Sequence, residues 1–395
     1  PPRSTPLYSS AASDVYKRQE MDRALGGGIL PGSLILLGGN PGIGKSTLAL
    51  QILPVFDKPV LYISAEESEA QVGLRAKRLG VSSKQLHLSS ENNIDTILDQ
   101  VSLVKPELVV IDSIQTIFSD QLDSLPGSVS QIRECGQQFL QLAKQQDIAI
   151  IIIGHVTKEG VIAGPKMLEH MVDTVLYLEG DDKYDHRILR SAKNRFGTTN
   201  EVGIFRMENN GLIEVDNPSE LFLSERQNNI NGSTIFPSLE GSRPILVEIQ
   251  ALASNANFGT PQRNVNGFDY KRLAMLLAVL EKRLGVQIGT KDVFVNLVGG
   301  LKVNDPAADL SVISAVASSV KDQLISDSVV LIGEVGLGGE VRSVSGLDTR
   351  INESKSLGFK TIIAPRSNVK RLKDLPKSIE IFGISNVVEA FHKLF

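Results

Sequence analysis

The sequence predicts an α/β protein built on a mostly parallel sheet with helices on both faces. Four short segments are apolar along almost their whole length, and segments of helical character separate them. Strands that are apolar throughout are buried on both faces, which is typical of parallel sheets covered by helices. The four predicted strands are residues 33–37, 59–64, 107–113 and 147–155.

A glycine-rich loop follows the first predicted strand and precedes a predicted helix at residues 47–53. Residues 39–46 fit the pattern GxxxxGK[ST] of phosphate-binding loops. We expect Lys45 to reach the β- and γ-phosphates of ATP as a catalytic cation, and the hydroxyl of Ser46 to bind Mg²⁺. The predicted nucleotide-binding residues are Gly39, Asn40, Pro41, Gly42, Ile43, Gly44, Lys45, Ser46 and Thr47.

Polar residues stand where the other predicted strands end, and ligands bind at these ends in parallel sheets. Asp112 follows four aliphatic residues and is the expected carboxylate of the Mg²⁺ shell. Glu66 is expected to polarise the attacking water, although the adjacent Glu67 could take this role. His155 either senses the γ-phosphate or only forms a hydrogen bond at the strand end.

Basic residues after these strands suggest two further contacts. Lys158 and Lys166 belong to a glycine-containing stretch that either contacts DNA phosphates or is an ordinary solvated loop. Lys193 and Arg195 flank an asparagine in the sequence Lys-Asn-Arg-Phe-Gly at residues 193–197. Two cations on one short segment suit a finger that enters the nucleotide site of a neighbouring subunit, where both would assist catalysis. The alternative is a basic turn after a strand.

Composition excludes several classes of protein. A net charge of −4 gives no global attraction to nucleic acid, so any DNA contact must come from local patches. The single cysteine, Cys135, excludes a disulfide within the chain and agrees with a cytoplasmic protein. No apolar run approaches the roughly 18 residues of a membrane span, so no membrane partner is expected. Residues 1–19 lack periodicity and the apolar core of a signal peptide, and we interpret them as a non-native leader.

A polar stretch at residues 217–233 predicts a domain boundary at Leu223. The first domain, with the phosphate loop, then spans residues 20–222, and the second spans residues 223–395. The second domain also alternates apolar strands with helices, and its sequence contains no second phosphate loop.

Together these motifs resemble the RecA-like ATPases. The motifs are residues 25–29, 39–47, 64–68, 110–113 and 193–197. Their combination resembles the bacterial DNA repair family RadA, also called Sms, and the second domain resembles the proteolytic domain of Lon. The resemblance implies a DNA-dependent ATPase of helicase type that uses ATP and Mg²⁺ and promotes branch migration in recombinational repair. It also implies single-stranded and branched DNA and a RecA-type recombinase as partners, and a hexameric ring of identical subunits.

The second domain departs from Lon at both catalytic positions. Ala307 stands where Lon proteases have the serine nucleophile, and Arg350 stands where they have the lysine base. Alanine has no nucleophile, and a guanidinium stays protonated. We therefore expect a Lon-like domain without peptidase activity.

Two alternatives to a DNA motor stay open at the level of sequence. One is a nucleotide switch or scaffold of the KaiC-like branch, with slow ATP turnover. The other is an ATP-dependent protease, which Ala307 and Arg350 disfavour. The family also carries a four-cysteine zinc finger ahead of the ATPase core. We expect zinc only if the native protein has that finger, since the sequence before residue 20 looks foreign.

Overall fold

The computed structural model describes residues 19–155, 165–180, 184–199, 201–224, 226–256, 259–372 and 378–395. Lys158 and nearly all of the predicted leader lie outside the described residues. The chain forms two compact units that part between Asp216 and Asn217. The boundary predicted at Leu223 lies a few residues further on, because the short helix after Asn217 packs on a strand of the second unit.

The first unit alternates strands and helices before it ends in consecutive strands. Its helices are α1 (Gln19–Leu25), α2 (Lys45–Gln51), α3 (Glu69–Arg78), α4 (Ile94–Val104), α5 (Val129–Gln146) and α6 (Pro165–Met171). Its strands are β1 (Leu34–Gly39), β2 (Val60–Ser64), β3 (Leu86–Ser89), β4 (Leu108–Asp112), β5 (Ala149–His155), β6 (Thr174–Glu179), β7 (His186–Asn194), β8 (Val202–Glu208) and β9 (Gly211–Glu214).

Within the described residues these strands form a nine-stranded sheet in the order β3-β2-β4-β5-β1-β6-β7-β8-β9. The strands from β3 to β6 are parallel, and β7, β8 and β9 continue the sheet antiparallel. Side chains alternate along each strand, so Ile35 and Leu37 pack with α1, α2 and α3, whereas Leu34 and Leu36 pack with α4, α5 and α6. The predicted α/β class, with helices on both faces of the sheet, is confirmed.

Sequence reasoning missed the strands at the two sides of the sheet. β3 is short and only its last residue is buried. β7 and β8 carry arginines among apolar residues, so they lack the continuous apolar character that marked β1, β4 and β5. Antiparallel strands near an edge need less burial than central parallel ones, and their sequence signal is correspondingly weaker.

The second unit is a separate α/β fold. Its helices are α7 (Pro218–Leu223), α8 (Tyr270–Leu284), α9 (Asp309–Lys321), α10 (Leu347–Ser356), α11 (Arg366–Val369) and α12 (Val387–Leu394). Its strands are β10 (Ser233–Glu240), β11 (Arg243–Asn255), β12 (Arg263–Asn266), β13 (Lys291–Leu297), β14 (Val329–Leu331), β15 (Glu334–Val335), β16 (Val341–Arg342), β17 (Thr361–Pro365) and β18 (Glu380–Ile384). Seven of them form one sheet among the described residues, in the order β12-β13-β11-β10-β14-β17-β18.

The apolar segment at residues 329–336 is divided into β14 and β15. Between them, the N–H of Gly333 donates to the carbonyl oxygen of Ala307 at 2.8 Å, and its carbonyl accepts from the N–H of Leu310 at 3.0 Å. A side chain at Gly333 would lie 2.6 Å from a methyl carbon of Val341. The chain therefore leaves the main sheet here to close around the turn that holds Ala307.

Candidate nucleotide site

The phosphate loop joins the end of β1 to the start of α2, in the middle of the sheet. Gly39, Gly42 and Gly44 have positive φ angles of 149°, 77° and 114°, which residues with side chains rarely adopt. A Cβ at Gly39 would lie 2.6 Å from the carbonyl oxygen of Leu178. No side chain caps the start of α2, so its first N–H groups remain available to an anion.

Lys45 is buried inside this loop and bonds to neutral acceptors. Its Nζ donates to the carbonyl oxygens of Gly39 and Asn40, each at 2.9 Å, and lies 3.2 Å from Nδ1 of His155. Burial lowers the pKa of Lys45 to about 8, against the opposing attraction of two carboxylates on β4 and after β2. A bound triphosphate would give this ammonium the negatively charged hydrogen-bond partner that it lacks.

Glu66 follows β2 and contacts Ser113 and His155. Its Oε1 accepts from the hydroxyl of Ser113 at 2.5 Å and lies 3.6 Å from Nε2 of His155. Since His155 also contacts Lys45, these side chains form a continuous polar series from the phosphate loop to the end of β4. The side chain of Glu66 is 42% exposed, which leaves it accessible to a water molecule.

Glu67 faces another direction. Its carboxylate forms an ion pair with Arg75 on α3, and its backbone N–H donates to the hydroxyl of Ser64 at 3.2 Å. The ion pair holds the carboxylate of Glu67 against α3. The geometry therefore favours Glu66 over its neighbour as the group beside the phosphates.

Asp112 ends β4 and is almost fully buried. Its Oδ2 accepts from the hydroxyl of Tyr62 on β2 at 2.5 Å. Burial, and then the charge of Asp112, raise the pKa of Tyr62 well above its usual value, so Tyr62 remains a hydrogen-bond donor. Within the described residues, no other group bonds to the second oxygen of Asp112. A hydroxyl and a carboxylate are oxygen donors of the kind Mg²⁺ prefers, and Ser46 and Asp112 would hold the ion.

The predicted finger, residues 193–197, lies at the other end of the parallel strands. β7 ends at Asn194, which pairs with Thr174 at the start of β6. Arg195 follows in a bend, with Nη1 3.3 Å from Oδ1 of Asp173. Lys193 donates to backbone carbonyl oxygens at the end of α6. The structure therefore does not bring either cation to the phosphate loop of its own chain.

The length of β1 sets the distance between Arg195 and the phosphate loop. Asp173, the partner of Arg195, accepts from the N–H of Leu34 at 3.1 Å, so Arg195 lies near the start of β1. The phosphate loop begins at Gly39, the last residue of this six-residue strand. At ~3.3 Å per residue the two ends lie roughly 17 Å apart.

Of the two lysines expected to contact DNA, the structure describes only Lys166. It is exposed on α6, as a phosphate contact would require. No described helix is long and apolar enough to span a membrane.

Comparison with known proteins agrees with this geometry. Residues 1–161 match the AAA domain family, and residues 286–392 match the family of the Lon protease C-terminal proteolytic domain. The chain is 49% identical over 401 residues to DNA repair protein RadA of Listeria monocytogenes, covering 100% of this chain and 87% of that protein. It is 51% identical over 374 residues to DNA repair protein RadA of Bacillus subtilis, covering 94% of this chain and 81% of that protein.

The chain belongs to the RadA family of DNA repair proteins. The resemblance drawn from its motifs is thereby confirmed, as is the order of a RecA-like ATPase core followed by a Lon-like domain. A solved structure of the RadB recombinase is 25% identical and covers 50% of this chain and 97% of that one, with a TM-score of 0.41.

The second unit of this RadA-family chain holds a buried ion pair at the positions that were expected to correspond to the Lon dyad. Ala307 is 1% exposed, and its N–H donates to Oδ1 of Asp305 at 3.0 Å. Arg350 is fully buried and donates to the other oxygen of Asp305 and to the carbonyl of Pro237. Its guanidinium also lies over the ring of Phe236, 5.4 Å from the centroid. These contacts hold the guanidinium of Arg350 inside the second unit.

Sequence reasoning missed three residues that support the site. Ser113 follows Asp112 directly, so its position after a strand was a usable signal. Asp173 precedes the apolar start of β6, a strand that was itself missed. Tyr62 had only a weak signal, as a hydroxyl in an otherwise apolar strand, because its partner lies 50 residues further along the chain.

Proposed function

We propose that this RadA-family chain is an ATP-driven motor that moves on single-stranded DNA and promotes branch migration of recombination intermediates. It would act as a ring of identical subunits, for which we propose six copies, and would meet branched DNA together with a RecA-type recombinase. The observation that carries the proposal is the separation of the phosphate loop from the finger. A site divided between the two ends of one sheet becomes complete only when a second copy supplies the finger.

Each residue near the loop has a defined task in this proposal. Lys45 exchanges its carbonyl partners for the β- and γ-phosphates. Glu66 orients and polarises the attacking water, and His155, between Glu66 and Lys45, senses whether the γ-phosphate is present. Ser46 and Asp112 hold Mg²⁺, which when bound neutralises charge on the phosphate oxygens. A cation from the finger of the adjacent copy stabilises the charge that develops as the γ-phosphate leaves.

Mixing two inactive variants tests the shared site. Arg195→Ala should bind ATP normally and hydrolyse it poorly, and Lys45→Ala should hydrolyse none. Mixed oligomers contain some sites with an intact loop and an intact finger, so mixing should restore part of the activity. Subunit exchange is checked separately with a size-tagged copy. No recovery despite exchange would contradict a site shared between subunits.

Stimulation by DNA separates a motor from a nucleotide switch. The ATPase rate of the full chain is measured with and without single-stranded DNA, with oligomer size recorded alongside. A motor that couples hydrolysis to movement should be stimulated, whereas a KaiC-like scaffold should turn over slowly and equally under both conditions.

The DNA contact itself is tested by salt dependence. Removing Lys158 and Lys166 together should weaken DNA binding and reduce the slope of log K against log salt by about 0.7 to 0.9 for each lost phosphate contact. Lys77→Ala, an exposed lysine on α3, is the matched control. An unchanged slope in the double variant would mean that these lysines face solvent.

We further propose that the Lon-like unit has no peptidase activity. The support is the replacement of nucleophile and base by Ala307 and the buried Arg350. Degradation of casein by the purified chain, in the presence of ATP and Mg²⁺, would contradict this proposal.

A further inference from the structure

Lys193 makes three hydrogen bonds to one helix end. Its Nζ donates to the carbonyl oxygens of Glu169 at 2.7 Å, His170 at 3.2 Å and Val172 at 2.8 Å. An ammonium has three donors, and all are used here. The last carbonyl groups of a helix lack partners within it and carry partial negative charge, so a cation at this end of α6 is well placed.

Arg195 is held differently. Its side chain is 54% exposed, and its Nη1 lies 3.3 Å from Oδ1 of Asp173. Asp173 keeps other partners, because Lys144 donates to it at 2.7 Å and the N–H of Leu34 at 3.1 Å. If the guanidinium of Arg195 swings away, Asp173 still has an ammonium and a backbone donor.

The two cations of the finger therefore differ in what they lose by leaving. The guanidinium of Arg195 is half exposed, and the buried carboxylate of Asp173 keeps Lys144 and the N–H of Leu34 as partners, so Arg195 can exchange Asp173 for a phosphate at small cost. Lys193 would abandon three carbonyl groups, each in a charge-assisted hydrogen bond of roughly twice the strength of a neutral one.

We propose that Lys193 is a positioning residue, which clamps the end of α6 and fixes the base of the finger, while Arg195 alone reaches the nucleotide of the neighbouring copy. This inference rests on the proposed function and divides its two cations between two tasks. The clamp acts on the chain just before Asp173, which in turn bonds to Leu34 at the start of β1. Lys193 thereby sets the direction from which Arg195 leaves the sheet.

Hydrogen exchange of wild-type protein tests the clamp without any substitution. The amide groups of residues 166–173 are followed with and without ATPγS and Mg²⁺, in oligomers that bind the nucleotide. A clamp that stays closed predicts unchanged protection of this segment. Faster exchange on adding ATPγS would mean that Lys193 leaves α6 for the phosphate, and would overturn the proposal.

A double-mutant cycle tests the same division in kinetics. Arg195→Gln should lower kcat by about 1000-fold or more, and Lys193→Gln by about tenfold, with KM for ATP unchanged in both. Because Lys193 acts through Arg195, adding Lys193→Gln to Arg195→Gln should cause no further loss. A full additional tenfold loss would indicate direct contact with the phosphate.

Two controls separate this inference from the proposed function. Lys193→Gln should accelerate exchange at residues 166–173 while Arg206→Gln, an exposed arginine paired with Glu208 on β8, should not. If ATP hydrolysis does not depend on Arg195 at all, the shared site itself is wrong. If it depends on Arg195 but the cycle is additive, only the role given to Lys193 is wrong.

Discussion

Both units place a cation in a buried position beside carboxylates, and they use it in opposite ways. Lys45 donates to backbone carbonyls and contacts a histidine, and the nearby Glu66 is 42% exposed. Arg350 is bonded directly to Asp305 and to the carbonyl of Pro237 in a fully buried setting. An ammonium with neutral partners gains by binding an anion, whereas a guanidinium already paired with a carboxylate gains nothing. The partners, rather than the burial, separate the ligand site from the structural contact.

Lys45→Ala should produce the largest effect, because it removes the only cation inside the phosphate loop. We expect ATP hydrolysis to fall by on the order of 10³-fold or more, with weaker nucleotide binding and an unchanged far-UV circular dichroism spectrum. Lys77→Ala on α3 is the matched control and should keep full activity. Near-normal turnover of the Lys45 variant would mean that Lys45, like Arg350, does not bind the phosphates.

Arg350→Met should affect stability instead of ATP hydrolysis. Breaking a buried ion pair by removing one partner costs about 3–5 kcal/mol, because the other charge is left unpaired. Asp305 keeps some access to solvent, so we expect the lower end of this range, measured by urea unfolding monitored with circular dichroism. Arg342→Met, which removes an exposed pair with Glu340, should destabilise the protein much less, because exposed ion pairs contribute little. Equal losses in the two variants would contradict a structural role for burial here.

Two variants, Glu66→Gln and Glu67→Gln, test which of the adjacent carboxylates of the first unit polarises the attacking water. The amide at position 66 cannot polarise water as a carboxylate does, so kcat should fall by about 10²-fold or more with ATP binding retained. Glu67 is paired with Arg75, and its variant should lose little activity. Single-turnover hydrolysis of radiolabelled ATP distinguishes the two. The reverse pattern would assign the water to Glu67.

Tyr62→Phe should give the smallest effect. It removes the hydroxyl that donates to Asp112 and leaves the ring in place. A hydrogen bond to a charged group contributes about 1.5–3 kcal/mol, and we expect only part of this to appear in Mg²⁺ binding. We expect the Mg²⁺ concentration needed for half-maximal ATPγS binding to rise about fivefold, which corresponds to about 1 kcal/mol. Leu61→Val, on the opposite face of the same strand, is the control for packing. An unchanged Mg²⁺ requirement would show that Asp112 needs no help from Tyr62.

Local patterns were sufficient for the phosphate loop and for the parallel strands β1, β2, β4 and β5 of the first unit. β1, β4 and β5 are apolar throughout, and the glycines and Lys45 are contiguous in sequence, so a short window contained the whole phosphate loop. The expectation of no peptidase activity also rests on single residues, Ala307 and Arg350, and stays a prediction. β7 and β8 were missed because they carry charged side chains among their apolar residues.

The sequence by itself therefore determined the fold class, the phosphate loop and the family, because each depends on residues that are close together or on composition along a strand. The tertiary structure decided what distant residues do to one another. It turned Glu67 towards Arg75 and Glu66 towards Ser113, it enclosed Arg350 with Asp305, and it carried the finger to the far end of β1. These outcomes depend on which strands pair and in which direction, and strand pairing joins residues far apart in the chain, which no local pattern specifies.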